Sequence, residues 1–417
     1  MLTQKIRIFP DKEEVLWFLS EHCRLLYNFA LSERKTAWKE NNESITYTMQ
    51  QNQLPELKKK YSKYGMVYSK VLQMTLCTLD ANFKSFFSLY KKGHKDARPP
   101  KYKGKKYFTT LKYNQSGFKL KKGYIQFSHK YKDTPLIFKI PEKFSFKKVK
   151  EVQIFQKKNQ YYISITHKPT QKQYNDNGKY QAIDLGITKI VTAVNSKGRF
   201  LEVRTPLPDK YSNPTISKLQ SRRDHCKKYS RNWYKLNKVI NKLKQKQSNQ
   251  IKDFQHKTSR KIIDNTRANT IIVGDLNVKG MAKSKNKGLN RATQNTGYLA
   301  RFTKFLTYKA KLVGKKVIRI DERNTSKTCC NCGKIHDMKL YNRNMICECG
   351  NNLDRDKNSS INIMLRFLSQ NGLWTAYQQF VDNLRQTVPS LDGALAGNPN
   401  AIAWGNSLHT NNCRFTN

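Results

Sequence analysis

Tyr180-Gln181-Ala182-Ile183-Asp184-Leu185-Gly186 is the stretch from which the second half of this chain can be read. A short apolar run with one carboxylate near its end and a glycine behind it has the length and character of a strand buried on both faces. Residues 189 to 195 and 199 to 204 predict two more strands, joined by the turn Asn195-Ser196-Lys197-Gly198, so the three form a meander.

Working outward, residues 212 to 265 predict a long basic helical region. Ile216, Leu219, Trp233, Leu236, Ile240 and Leu243 make one stripe, with Lys or Arg nearly everywhere else. Thr270 to Val273 predicts a short buried strand, 279 to 297 a mobile loop, 297 to 313 a helix, 315 to 320 a strand, and 361 to 368 a final helix. Three meandering strands followed by helix, strand, helix and strand is the order of an RNase H-like α/β domain.

Set into that order are Cys329-Cys330-Asn331-Cys332-Gly333 and, 14 residues later, Cys347-Glu348-Cys349-Gly350. Two cysteine knuckles at this separation let four thiolates converge on Zn²⁺, and a closed site of this kind is structural. The expected ligands are Cys329, Cys332, Cys347 and Cys349; Cys330 is a competing thiol and His336 a reserve ligand. The remaining cysteines, Cys23, Cys77, Cys226 and Cys413, are scattered, which fits a reduced compartment better than a disulfide framework.

The first half reads differently. Residues 2 to 9 alternate as a strand that Pro10 stops, and Asp11 with Glu14 is placed for a capping box opening a helix. A second amphipathic helix runs through Leu72, Leu76, Leu79, Phe83 and Phe86. From Arg98-Pro99-Pro100 onward short strands predict a basic β platform closed as a barrel, and the polar stretch 168 to 178 marks the main domain boundary. The tail after about residue 370 is less basic; its aromatics predict partial packing onto the body, and its last dozen residues predict disorder.

Composition points to the partner. Across 417 residues, 80 Lys and Arg face 29 Asp and Glu, a formal charge of +51 that only a polyanion would neutralise. The interleaved Tyr and Phe suit base stacking as well as they suit a core. No apolar run reaches membrane-spanning length and Met1 leads into a strand rather than a leader, so the expectation is a cytoplasmic, nucleic-acid-binding protein with no membrane partner.

A two-metal nuclease site draws three or four acids from distant positions, because both the attacking and the leaving oxygen must be stabilised. Asp184 and Asp356 are candidates, although each serves equally as an Asx turn or a helix cap. At this point the sequence resembles the transposon-associated TnpB (OrfB) family, relatives of type V CRISPR effectors. The matching stretches are Lys5 to Pro10, Leu26 to Leu31, Ala182 to Gly186, Asp275 to Met281, Asn324 to Cys329 and Asp354 to Ile363.

The resemblance implies an α+β multidomain chain. A wedge-like β-barrel (1–12 and 96–170) carries an inserted helical recognition lobe (13–95). An RNase H-like (RuvC) domain (179–325) is then split by the zinc ribbon (326–353) before its last helix (354–369), with a tail at 370–417. It implies a guide RNA that pairs with double-stranded target DNA beside a short flanking motif, and Mg²⁺ at a RuvC site. Asp184 and Asp356 match the family's first and last catalytic acids, but the middle Glu is Gly274. Asp275 is a candidate substitute, yet adjacent strand residues face opposite sides. The sequence therefore predicts a guide-directed DNA binder that does not cut, for instance a repressor. Competing readings are an active endonuclease using Asp184, Asp275 and Asp356, or another acid such as Asp321 or Glu322, and a functionless transposon remnant. The eight His include no HUH-type pair that would suit a transposase acting directly on DNA.

Overall fold

The computed structural model of the protein describes residues 1–275, 298–388 and 391, apart from 95, 133, 143, 145, 147, 158, 159, 207 and 340. The chain divides into two compact units, Met1–Thr170 and Gln171–Asn417, with the break inside the polar stretch expected to separate them. The expected loop at 279–297 and the last dozen residues lie outside the described residues.

In the first unit, β1 (Leu2–Ile8) leads into α1 (Glu13–Asn41), α2 (Tyr47–Asn52), α3 (Leu54–Lys60) and α4 (Ser69–Lys91). Six strands follow: β2 (Leu111–Asn114), β3 (Phe118–Lys121), β4 (Tyr124–Phe127), β5 (Leu136–Lys139), β6 (Val149–Lys157) and β7 (Gln160–His167). The alternation in β1 buries Ile6 and Ile8 and seats the strand antiparallel on β7, with Ile6 opposite Ile163. The sheets run β1-β7-β6-β2 and β3-β4-β5, and no ladder joins them among the described residues. Leu16, Leu19 and Leu26 of α1 and Leu72, Leu76 and Leu79 of α4 belong to the same core as Ile154 and Ile163. The capping box does not form. Helix α1 opens after Lys12 with no side-chain cap, because Glu13 is already inside the helix and accepts from Trp17 Nε1.

In the second unit the meander is β8 (Tyr180–Asp184), β9 (Lys189–Asn195) and β10 (Phe200–Arg204). The predicted single basic helix is two: α5 (Pro208–Asp224) and α6 (Arg231–Asn265). Tyr229, at φ 69°, turns the chain between them, and the Ser230 hydroxyl caps α6 by accepting from Trp233 N. After β11 (Thr270–Gly274) come α7 (Tyr298–Leu312), β12 (Lys316–Ile320), the hairpin β13 (Asn344–Ile346) and β14 (Asn352–Asp354), α8 (Arg355–Gln370) and α9 (Trp374–Thr387).

The five-stranded sheet has the order β10-β9-β8-β11-β12. Its first three strands are antiparallel neighbours, whereas β11 lies parallel between β8 and β12. Successive residues face opposite sides of this sheet. Ala182, Ile272 and Ile320 join the core under α8 and α9, while Ile183, Ile271 and Val273 join the core under α6 and α7. The tail helix α9 is part of that first core: Phe380, Val381 and Leu384 are fully buried.

Candidate metal and carboxylate sites

Thiols first. The Sγ atoms of Cys329, Cys332, Cys347 and Cys349 all lie within 4.8 Å of one another, and this is the one group of three or more metal-donor side chains drawn so close among the described residues. The separations Cys329–Cys349 and Cys332–Cys347 are both 3.6 Å, close to the ~3.7 Å edge of a tetrahedron with 2.3 Å Zn–S bonds. Gly333 (φ 78°) and Gly350 (φ 86°) take the left-handed turn that each knuckle requires. Asn351 Nδ2 donates to Cys329 Sγ at 3.2 Å and Asn331 Nδ2 to Cys349 Sγ at 3.4 Å, as expected around thiolates that carry charge. Cys330 and His336 stand outside the group.

The acids are arranged by sheet parity. Asp184 is in phase with Ala182 and so lies at the end of β8 on the α8 side. Asp356 is the second residue of α8, whose first turn is capped by Asp354 Oδ1 accepting from Asp356 N and Lys357 N. Asp354 itself is held by Lys189 Nζ at 2.9 Å, which leaves Asp356 as the member of that pair toward Asp184. Burial, together with the negative charges of Glu322 and Asp356, pushes the Asp184 carboxyl well above the usual range, while Arg355 and a hydrogen bond from Ser359 pull the other way.

Gly274 belongs to the same face, since it follows Ile272 by two residues and pairs with Ile320 across the parallel ladder. The space that a side chain at 274 would occupy is filled. A Cβ built on Gly274 would stand 2.1 Å from Glu322 Oε2, 3.1 Å from its Cβ and 3.2 Å from its Cδ. Glu322 follows Ile320 by two residues, and its carboxylate lies over the strand end where the family Glu would begin. Oε2 is buried with no hydrogen-bond partner. Burial, with Asp275 and Asp321 nearby, pushes its carboxyl up to about 7, against the opposing pull of Arg366.

Asp275 behaves as parity requires of a residue in phase with Val273. Its side chain is 61% exposed and faces Arg319, with Oδ1 3.6 Å from Nη1. Asp321 is likewise exposed and engaged by Arg323 Nε at 2.7 Å. The structure thus brings Asp184 and Asp356 together, leaves Asp275 outside, and adds Glu322. Ser359 was missed by sequence reasoning; its hydroxyl meets both Asp184 and, at 3.0 Å, Thr325 Oγ1. Carboxylates that repel one another in a desolvated place, one with an orphaned oxygen, are a donor set suited to divalent cations. They are spread more widely than the thiols.

The basic surface of this unit is continuous with its fold. Helix α6 carries ten Lys or Arg against two Asp, and Lys235, Lys238, Lys242, Lys244 and Lys246 are exposed while Ile240, Ile251 and Ile262 are buried. A cavity of about 1000 Å³, lined from the start of β8 along β10 and by α6, is rimmed by Lys179, Lys197, Arg199, Arg204, Lys261 and Arg267.

The class these features define is a mixed α/β multidomain protein with several sheets and a four-cysteine cluster consistent with a metal-binding module. Three family models match it. Residues 1–43 match the helix-turn-helix domain of the OrfB/IS605 group, 162–285 the probable transposase of the same group, and 300–363 the Cas12f1-like TNB domain. A putative RNA-guided DNA endonuclease of Streptomyces pristinaespiralis is 24% identical over 367 residues, covering 86% of this chain and 88% of the relative. The putative RNA-guided DNA endonuclease InsQ of Escherichia coli K12 is 25% identical over 338 residues, covering 75% and 77%. The Cas12f1–sgRNA–target DNA complex shares the fold at a TM-score of 0.51 with 13% identity, covering 85% of this chain and 83% of that one. The chain belongs to the TnpB/OrfB/Cas12f family of RNA-guided RuvC-type nucleases and CRISPR effectors.

Proposed function

We propose that this protein is an RNA-guided, metal-dependent DNA endonuclease whose middle carboxylate has moved from β11 to Glu322, just past the end of β12. The observation that carries this reading is the 2.1 Å approach of Glu322 Oε2 to the point where a Gly274 Cβ would stand. A site opened by loss of a glutamate would leave that volume to water or to an apolar side chain; here it holds a carboxylate. In this reading the five-stranded sheet with α6 to α8 is the RuvC domain, the cysteine module is a zinc ribbon inserted before its last helix, and the first unit is the wedge-like platform with its recognition lobe. The partners are a guide RNA and a DNA duplex bearing a short flanking motif.

Asp184, Glu322 and Asp356 would hold Mg²⁺, which when bound supplies charge for the attacking and leaving oxygens of a phosphodiester. The protein's own contribution is placement. Asp184 ends β8 and Glu322 follows β12, the two strands that flank β11, and Asp356 stands in the first turn of a capped helix. Ser359 orients Asp184. The lysine-rich face of α6 would grip backbone phosphates regardless of sequence.

The test begins with sequencing the RNA that co-purifies with the full chain, followed by incubation of the ribonucleoprotein with matched DNA and Mg²⁺. Cleavage is expected, lost by at least about 100-fold in Asp184→Ala and Glu322→Ala and retained within about twofold in Asp275→Ala. Binding without cleavage by the wild-type ribonucleoprotein would instead favour the non-cutting DNA binder that Gly274 suggests. Full cleavage by Glu322→Ala would refute the placement of the third acid.

A further inference from the structure

The carboxylate of Glu322 does not hold itself in place. Oε2 lacks a hydrogen-bond partner, and its charge repels Asp184. What is held is its backbone. Residues 321 to 330, which run from the end of β12 to the first cysteine knuckle, lie against one face of α8. There Asn358, Asn362 and Arg366 recur every four residues, at 0%, 0% and 5% exposure.

Each of the three catches this segment. Arg366 Nη1 donates to Asp321 O and Nη2 to Arg323 O at 2.8 Å, so the guanidinium brackets Glu322 from both sides. Asn362 Nδ2 donates to Thr325 O at 2.8 Å and to Thr328 O at 2.7 Å. Asn358 Nδ2 donates to Thr328 O at 2.8 Å, while its Oδ1 accepts from Cys330 N at 2.9 Å. Thr325 closes the chain, since its hydroxyl donates to Glu322 O at 2.8 Å. At the far end, Asn351 Nδ2 bonds Cys329 Sγ.

Three large polar side chains buried on one helix face are costly unless fully engaged. Ile361, Met364, Leu365 and Leu368 of the same helix show that apolar residues pack here. The polar ones engage backbone groups of the 321–330 segment, which they hold in one place. We propose that Asn358, Asn362 and Arg366 are positioning residues for Glu322, and that through them the cysteine site is mechanically coupled to the carboxylate site. This inference rests on Glu322 being the third acid. It adds that this ladder of hydrogen bonds holds the segment on which that acid stands and does not reach β11.

The coupling is tested by moving the acid off the segment. In Gly274→Glu/Glu322→Ala the carboxylate stands on β11, where the ladder does not reach; only a 3.1 Å Cβ–Cβ approach must relax, and the backbone φ there suits any residue. Mn²⁺ is the probe, since it prefers oxygen donors over thiolates, and its binding to the full chain is followed by the EPR signal of the free ion. In the wild-type background, Asn362→Ala and Arg366→Lys are expected to weaken Mn²⁺ about tenfold or more, and Cys332→Ser to do the same from the other end of the segment. In the relocated background, the same changes should alter Mn²⁺ affinity by less than about twofold. Arg366→Lys, which keeps the charge, guards against an Asn362→Ala variant that fails to fold. Equal losses in both backgrounds, or no loss in either, overturn the coupling while leaving Glu322 in place. If Glu322→Ala by itself binds Mn²⁺ as the wild type does, the assignment of the acid falls first and the coupling with it.

Discussion

Replacing Gly274 by alanine separates a relocated active site from an abandoned one. Within a strand, Gly→Ala is ordinarily neutral or stabilising by about 0.5–1 kcal/mol, because alanine gives up less chain entropy on folding. Gly274 lies in β11 and its φ is outside the left-handed region, so nothing in the backbone forbids the change. The added methyl would stand 2.1 Å from Glu322 Oε2 and 3.2 Å from Cδ, so the carboxylate oxygen must withdraw by about 1.3 Å or more to reach ordinary contact distance. Forcing a packed side chain out of place costs about 1–3 kcal/mol, and a misplacement of that size at a reacting centre slows chemistry by about 10²-fold. DNA cleavage by the ribonucleoprotein should therefore fall between about 5- and 150-fold, while the melting temperature of the protein stays within a few degrees. In the Glu322→Ala background the same substitution should cost nothing further. An abandoned site predicts that Gly274→Ala changes nothing and that Gly274→Glu restores cutting; here Gly274→Glu, placed against an intact Glu322, should inactivate. Full-rate cleavage by Gly274→Ala, or cutting gained by Gly274→Glu from an inert wild type, would rule out the relocated acid.

Three further outcomes rest on the same structure. Phe380→Ala empties a fully buried ring position between α9 and α8 and should destabilise the second unit by about 3–5 kcal/mol in urea denaturation; an unchanged midpoint would place the tail helix outside the core. His256 stacks on Phe305 at 3.8 Å, and burial with Lys309, Lys252 and Arg301 pushes its imidazole down to about 4. A depressed histidine favours the folded state above its unfolded value and loses that contribution as pH falls, so stability should drop by about 1–3 kcal/mol between pH 6.5 and 4. In His256→Phe this part of the pH dependence should be absent from thermal melts. Charge removal at Arg199 and Lys261, on the rim of the basic cavity, should lower the slope of log affinity for guide RNA against log salt by close to one for each phosphate no longer neutralised; an unaltered slope would show that this rim does not touch the RNA.

How much of this was legible depends on whether the signal was local. The meander, β11, β12 and the cysteine knuckles each announce themselves within about ten residues, because periodicity and thiol spacing are properties of contiguous chain. Asp184 and Asp356 stand out as candidates for the same reason, each at the edge of a recognisable element, and parity along β11 is enough to send Asp275 toward Arg319. The tail helix was available too, since Tyr377, Phe380, Val381, Leu384 and Val388 follow helical spacing, although no motif drew attention to them. The break between α5 and α6 was hidden, because neither Gly nor Pro marks residues 225 to 230, and Ser230 becomes informative only as a cap.

Glu322 belongs to a different kind of information. Parity along β12, through Ile318 and Ile320, already sends residue 322 to the α8 face. What sequence could not supply was that β12 lies directly beside β11, in the register that sets Ile320 against Gly274. Once that register is known, a glutamate two residues beyond Ile320 is the side chain nearest the gap. Chemistry constrains where an oxygen must be, not which strand delivers it, so a glycine at a motif position and an acid just past the end of the adjacent strand form one observation. On the proposed reading, the loss is read along the chain and the replacement across the sheet.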